Sequence, residues 1–211
     1  MKVVVIDYGM GNLRSVSKAL EYVSPQSEIK VTSDPSEVDR ADRIVFPGQG
    51  AMPDCMREMD ARNLRPAILA AARKKPFLGI CIGLQMLFEH SEEGDTLGLG
   101  LFPGDVRRFP RQLNDQDSGD RLKVPHMGWN RVYQSNNHPI WDGLEDGSRF
   151  YFVHSYYAVP KEKVFIAAEA EYGVRFTCAV SRDNIFAVQF HPEKSHSSGL
   201  RLLSNFLRWN P

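Results

Sequence analysis

Short apolar runs, each too brief for a helix of its own, set the strongest limit on this fold. KVVVID (Lys2–Asp7), IKVTSD (Ile29–Asp34), DRIVFPG (Asp42–Gly48) and FLGIC (Phe77–Cys81) have the β-branched, nearly continuous apolar character of strands buried on both faces. Leu13, Val16, Leu20 and Val23 recur at helical spacing between the first two runs. Ala67–Lys75 and Gly83–His90 also read as helices. Strand and helix alternate, which predicts an α/β first half built on a parallel sheet.

The second half changes character. Arg107–Lys123 is polar, and Gln112–Arg121 within it carries no motif and reads as a mobile surface insertion. Strand-like pieces follow: RFYFVHSYY, FIAAEAEY, FTCAVSR and IFAVQFHPE. They predict an antiparallel or mixed region added to the parallel sheet. Gly199–Trp209, apolar at Leu200, Leu203, Phe206 and Leu207, reads as a closing helix. No repeat, low-complexity tract or linker divides the 211 residues, so one domain over the whole length is expected.

Charge and cysteine usage exclude several classes. The formal net charge is zero, so no overall field recruits nucleic acid or an anionic membrane. No apolar run is long enough to span a bilayer, and the N-terminal stretch lacks a signal peptide's cleavage region. Three scattered cysteines, Cys55, Cys81 and Cys178, argue against a disulfide framework and predict a reducing, cytoplasmic setting. No CxxC pair or His/Cys cluster has zinc spacing, and no GxxxxGK[ST] loop is present, so no metal or cofactor is expected.

One cysteine stands apart. Gly79-Ile80-Cys81-Ile82-Gly83 has the form G-x-C-x-G between a strand and a helix. Flanking glycines remove the β-carbons that would clash in a sharp strand-to-helix turn, and so lift a nucleophile to the top of a sheet. There a helix N-terminus favours a thiolate, and the N–H of Ile82 is free to meet a developing oxyanion. On this motif alone Cys81 reads equally as a small buried hydrophobe; it needs a base. Far downstream, Phe186, Val188 and Phe190 alternate with Ala187, Gln189 and His191 in a strand that Pro192 ends. Residues two apart in extended chain face one way, so Glu193 can hold one nitrogen of His191 while the other meets a thiol. Alone, that segment is also an ordinary solvated turn; with the elbow it makes a Cys–His–Glu triad assembled in space.

The loop Pro47-Gly48-Gln49-Gly50, GICIGLQML and HPEKS together resemble the class I, or triad, glutamine amidotransferases. The resemblance extends through IDYGMGNL, FPGQGAM, VPHMGWN and FVHSYY, from Asp7 to Ser195. It implies a flavodoxin-like fold and hydrolysis of L-glutamine through a thioester on Cys81, with His191 as base and Glu193 as its orienter. It implies an oxyanion site from Gly48, Gln49, Gly50 and Ile82. It also implies glutamine contacts from Gln85, Glu93, Ser155 and Tyr156. Within the family, the motifs are most similar to a glutaminase subunit of histidine biosynthesis that forms a heterodimer with a (β/α)8-barrel cyclase and passes ammonia to it through a channel. Asn12, Trp129 and Lys194 are the interface candidates on that reading. Trp129 reads equally as a core aromatic and Lys194 as a solvated charge. Rival readings are another triad amidotransferase (anthranilate, aminodeoxychorismate or pyridoxal phosphate synthase type), a partner-independent cysteine hydrolase, and a catalytically dead interaction module.

Overall fold

A computed structural model describes residues 1–115 and 119–211. In the first half, β1 (Lys2–Ile6), α1 (Leu13–Val23), β2 (Glu28–Thr32), α2 (Pro35–Arg40), β3 (Arg43–Gly48), α3 (Met52–Ala61), α4 (Arg65–Ala72), β4 (Phe77–Cys81) and α5 (Ile82–Gln85) follow in order. The second half contains β5 (Phe88–Ser91), β6 (Thr96–Leu97), β7 (Phe102–Arg108), β8 (His126–Arg131), β9 (Tyr133–Gln134), β10 (Arg149–His154), β11 (Tyr156–Pro160), β12 (Ile166–Glu171), β13 (Arg175–Arg182), β14 (Ile185–Val188) and α6 (His196–Arg208).

The main sheet runs β2-β1-β3-β4-β14-β13-β11-β7-β5-β6, with β12 also paired to β13 and β9 paired to β12. From β2 to β14 every pairing is parallel. Beyond β14 the pairings are antiparallel except β5 with β7. The expected parallel half with a mixed extension is therefore present, and the order 2-1-3-4-14 is the flavodoxin-like one. A separate two-stranded ribbon, β8 with β10, lies off the sheet.

Alternation along the central strands builds a core on each face. Val3, Val5, Val45, Leu78 and Ile80 pack with Val16 and Leu20 of α1 and Leu202, Leu203 and Phe206 of α6. Val4, Ile6, Ile44, Phe46 and Phe77 pack on the other face with Val38, Met56, Met59 and Ile68 from α2, α3 and α4. Burial on both faces explains why these strands read as unbroken apolar runs.

Three expectations are corrected. The helix read over Gly83–His90 stops after one turn at Gln85, and Phe88–Ser91 is strand β5. The carbonyls of Met86, Leu87 and Phe88, which a helix would need, accept instead from the N–H groups of Leu99, Leu101 and Gly100 at 2.8, 2.8 and 3.0 Å. RFYFVHSYY is not one strand: it breaks at Ser155, with β10 in the ribbon and β11 in the main sheet. The strand toward His191 ends at Val188, and Pro192–Lys194 forms a turn of 3-10 helix.

Of the polar segment Gln112–Arg121, residues 116–118 lie outside the described residues. Its ends are tied together. Asn114 bridges Arg121, the Leu122 N–H donates to the Leu113 carbonyl at 2.8 Å, and Leu113 is buried in the core.

Candidate active site

Cys81 is the last residue of β4 and adopts φ 58°, ψ −115°, a backbone conformation rarely accessible to a residue with a β-carbon. Such strain costs on the order of 1–3 kcal/mol and persists only where the surroundings enforce it. The glycines show how they do so. A β-carbon on Gly79 would sit 2.9 Å from the Ala187 β-carbon, and one on Gly83 would sit 1.9 Å from the Phe46 carbonyl oxygen. Both positions need glycine for the close approach that bends the chain. The helix that follows has only four residues, so its dipole adds little at the thiol.

β3 lies beside this elbow in parallel register, Pro47 opposite Ile80 and Gly48 opposite Cys81. The P-G-Q-G segment is thus no plain turn, because Pro47 and Gly48 are still strand. A β-carbon on Gly48 would lie 1.7 Å from the Tyr8 hydroxyl, and Gly50 has φ +107°. The Cys55 thiol donates to the Gln49 carbonyl at 3.5 Å from below.

His191 arrives from the far side of β4, carried by β14. Its N–H donates to the Tyr151 carbonyl at 2.9 Å, and its own carbonyl accepts from the Ser195 hydroxyl at 2.6 Å. Its Nδ1 lies 2.8 Å from Glu193 Oε1, with both side chains 2 % exposed. The pair meets across a 3-10 turn rather than along an extended strand, so the expected juxtaposition holds by a different backbone geometry. His191 Nε2 and Glu193 Oε2 make no hydrogen bond among the described residues. Burial works against charge on His191, but Cys81 and Glu193 outweigh it and raise the imidazole to about 10. A carboxylate on one ring nitrogen and Cys81 near the other favour the protonated imidazole.

Cys81, 8 % exposed, opens onto a cavity of about 440 Å³. Gln49, Gly50, Ile82, Gln85, Glu93, Ser155, Tyr156, His191 and Lys194 share its lining. All four expected glutamine contacts therefore face the same space as the thiol. Two are partly engaged already. Gln85 is buried and donates from Nε2 to the Tyr156 carbonyl (3.1 Å) and to Gln189 Oε1 (2.9 Å). Glu93 Oε2 accepts the Met52 N–H at 2.8 Å, at the start of α3, leaving Oε1 for a ligand. The break at Ser155 is what brings Ser155 and Tyr156 to the rim.

Among the interface candidates, Asn12 caps α1 by accepting the Ser15 N–H at 3.3 Å. Trp129 is not a core residue: it is 43 % exposed and stacks on His196 with 5.1 Å between ring centroids. The Lys194 ammonium sits 5.9 Å from the centre of the Tyr151 ring. Sequence reasoning missed Gln189 and His154. Gln189 is fully buried with Nε2 3.8 Å from Cys81 Sγ, and His154 lines the cavity. Only the alternation that placed Gln189 two residues before His191 pointed at it. Among the described residues no group of three or more His, Cys, Asp or Glu is placed to hold a metal ion, and no helix is long and apolar enough to cross a membrane.

A strained cysteine at the end of a parallel strand, a buried His–Glu pair beside it and one shared cavity form a candidate Cys–His–Glu site on an α/β fold. The family model for class I glutamine amidotransferases matches residues 4–209, and the chain belongs to that family. It is 64% identical to imidazole glycerol phosphate synthase subunit HisH of Dechloromonas aromatica, over 99% of this chain and 97% of that protein. It is 62% identical to the subunit of the same name from Thiobacillus denitrificans, over 99% of this chain and 92% of that protein. A crystal structure of a glutamine amidotransferase superposes with a TM-score of 0.71 at 17% identity, covering 97% of each chain, which bears on the fold.

Proposed function

We propose that this chain, acting as a single domain, is the glutamine-hydrolysing subunit of a cytoplasmic imidazole glycerol phosphate synthase. The observation that carries the chemistry is Cys81 on its elbow beside His191, whose Nδ1 is held by Glu193. The full-length similarity to subunits of that synthase supports the choice of pathway.

On this reading His191 Nε2 takes the Cys81 proton, and the thiolate attacks the δ-carbon of L-glutamine. The carbonyl π bond opens and the oxyanion is met by the N–H groups of Gln49 and Ile82, with Gly48 and Gly50 giving the loop freedom to present the first. The C–N bond then breaks. His191 returns its proton to the departing nitrogen, which leaves as ammonia, and a thioester remains on Cys81. His191 next deprotonates a water that attacks the thioester, and glutamate and the free thiol are restored. Glu193 keeps Nδ1 protonated throughout and balances the imidazolium. Glu93 Oε1 is suited to the ligand's ammonium, and Ser155 and Tyr156 to its carboxylate end. The Gln85 carbonyl is left as an acceptor for the ligand, because its N–H groups are bonded inward.

Ammonia has to be used before it reaches water. The reading therefore includes a (β/α)8-barrel cyclase partner that receives it through a channel and makes imidazole glycerol phosphate and aminoimidazole carboxamide ribotide. Asn12, Trp129 and Lys194 are its proposed contacts, and the exposed Trp129 and Met127 on β8 are apolar surface suited to a protein partner.

The test is covalent. A glutamine-analogue electrophile is expected to label one residue, Cys81, with glutamine slowing the reaction. Peptide mass spectrometry locates the adduct. An adduct on Cys55 or Cys178, or none on a chain that hydrolyses glutamine, would remove Cys81 from the mechanism.

A further inference from the structure

A run of side chains reaches the catalytic sulfur from beneath the glutamine cavity, and its hydrogen-bond directions are all determined. The Tyr156 backbone carbonyl, which can only accept, lies at its centre. On one side His154 Nδ1 is 2.8 Å from that oxygen, so Nδ1 carries the proton. Burial lowers His154 to about 3 and His126 to about 4, so both rings are neutral near pH 7. His154 Nε2 is then an acceptor, and His126 Nδ1, 2.9 Å away, donates to it. His126 Nε2 in turn faces the Asn130 amide nitrogen at 3.4 Å. Asn130 cannot be reversed, because the same nitrogen donates to the Glu171 carbonyl at 2.7 Å and its oxygen accepts the Arg131 N–H at 2.7 Å. β8 and β10 hold the two rings in register, His126 opposite His154. Phe109, Phe152 and Phe176 surround His154 with centroids 5.2 to 5.5 Å away.

On the other side the same carbonyl fixes Gln85. Its Nε2 must face Tyr156, at 3.1 Å, and its second N–H then goes to Gln189 Oε1, at 2.9 Å. Gln189 is left with its amide nitrogen toward Cys81 Sγ, at 3.8 Å. Rotating that amide by half a turn would set two N–H groups against each other at Gln85 and a carbonyl against the sulfur. Gln189 has no exposed surface, so water cannot repair either clash.

We propose that Gln189 is a further catalytic residue, an N–H donor that stabilises the Cys81 thiolate, with Gln85 and the Tyr156 carbonyl as the positioning groups that fix its direction. The proposal rests on Cys81 being the nucleophile. A donor on the sulfur lowers the cost of the charged form, as hydrogen bonds to an anion do. It also leaves His191 Nε2 free for the proton it must carry.

Gln189→Glu and Gln189→Met separate this role from packing. Glutamate has glutamine's shape and still accepts from Gln85, but places an acceptor against the sulfur. Methionine fills similar space with neither group. Glutamine hydrolysis, assayed with the barrel cyclase present, is expected to fall about tenfold in kcat for Gln189→Met and at least about a hundredfold for Gln189→Glu, with KM changed less than about threefold. The pH midpoint of Cys81 alkylation by iodoacetamide is expected to rise in both variants, more in Gln189→Glu. A purely structural role predicts the opposite order, with the isosteric glutamate nearer wild type. Wild-type activity in Gln189→Glu, or an unmoved alkylation midpoint, would overturn the proposal. An inactive wild-type chain would instead remove the glutaminase reading, which is a separate result. If neither variant folds, NMR of the Gln189 side-chain amide in the wild type still decides: its N–H signals are expected to move with the ionisation of Cys81 and to be independent of pH in Cys81→Ala, and signals that ignore the sulfur would overturn the proposal.

Discussion

Replacing Cys81 by alanine is expected to lower glutamine hydrolysis by at least about a thousandfold while leaving the chain folded. The substitution removes one sulfur at the floor of an open cavity and keeps the β-carbon, so packing changes little. The proposed chemistry is lost, because Cys81 is the only thiol among the residues lining the cavity. Cys55 and Cys178 cannot take over. Both are fully buried, and burial pushes the Cys55 thiol up to about 12 and the Cys178 thiol well above its ordinary value. Steady-state glutamate release by matched preparations checks this. A variant retaining more than a few per cent of the wild-type rate would show that hydrolysis does not pass through Cys81.

Gly83→Ala is expected to be a severely damaging one-carbon change at the elbow. The new β-carbon would lie 1.9 Å from the Phe46 carbonyl oxygen and 3.0 Å from its carbonyl carbon, both backbone atoms of β3. No side-chain rotation relieves that contact. β3 would have to move away from β4, carrying Gly48 and Gln49 out of register with the elbow. Overpacking of this kind costs on the order of 3 kcal/mol or more, a large share of a domain's stability. Gly100→Ala is the control. It has φ +66° but nothing within 4 Å of the new carbon, so only the backbone cost of about 1 kcal/mol applies. Urea unfolding of the two variants against wild type is the measurement. Equal midpoints would mean that the elbow does not depend on contact with β3.

Much of this arrangement is legible in the sequence. The parallel half was legible because β1, β3 and β4 are buried on both faces, which leaves a continuous apolar run. The elbow was legible because the steric demand of a strand-to-helix turn falls on two fixed positions, Gly79 and Gly83. What was not legible depends on tertiary pairing. Met86 and Leu87 are as apolar as helix residues. Their carbonyls are claimed by Leu99 and Leu101, which local spacing does not reveal. The division of RFYFVHSYY between two sheets is set by β8 and β7, the partners of its two halves. Helix α2, with six residues, is too short to show a helical period in the sequence. At the site, His191 and Glu193 were found for a sound reason, nearness in sequence, although the 3-10 turn that joins them was not foreseen. Gln189 was passed over because a glutamine in a strand has no signature. Its meaning comes only from the Tyr156 carbonyl and Gln85, brought to it from β11 and α5.

The relation of this chain to its partner also has a direct physical test. A subunit that releases ammonia usefully only inside a complex gains from being slow alone. Such gating requires a differential effect of the partner on the active site, for which the proposed oxyanion loop, residues 47–50, is the candidate element. That loop includes Gly50 at positive φ and a Gln49 carbonyl held by Cys55.

The most direct test is the glutaminase rate of the purified chain, alone and with the proposed barrel cyclase partner loaded with that partner's substrate. Slow hydrolysis alone and strong stimulation by the loaded partner are expected. Hydrolysis that is equally fast with and without the partner would contradict this, leaving a cysteine hydrolase that works unaided.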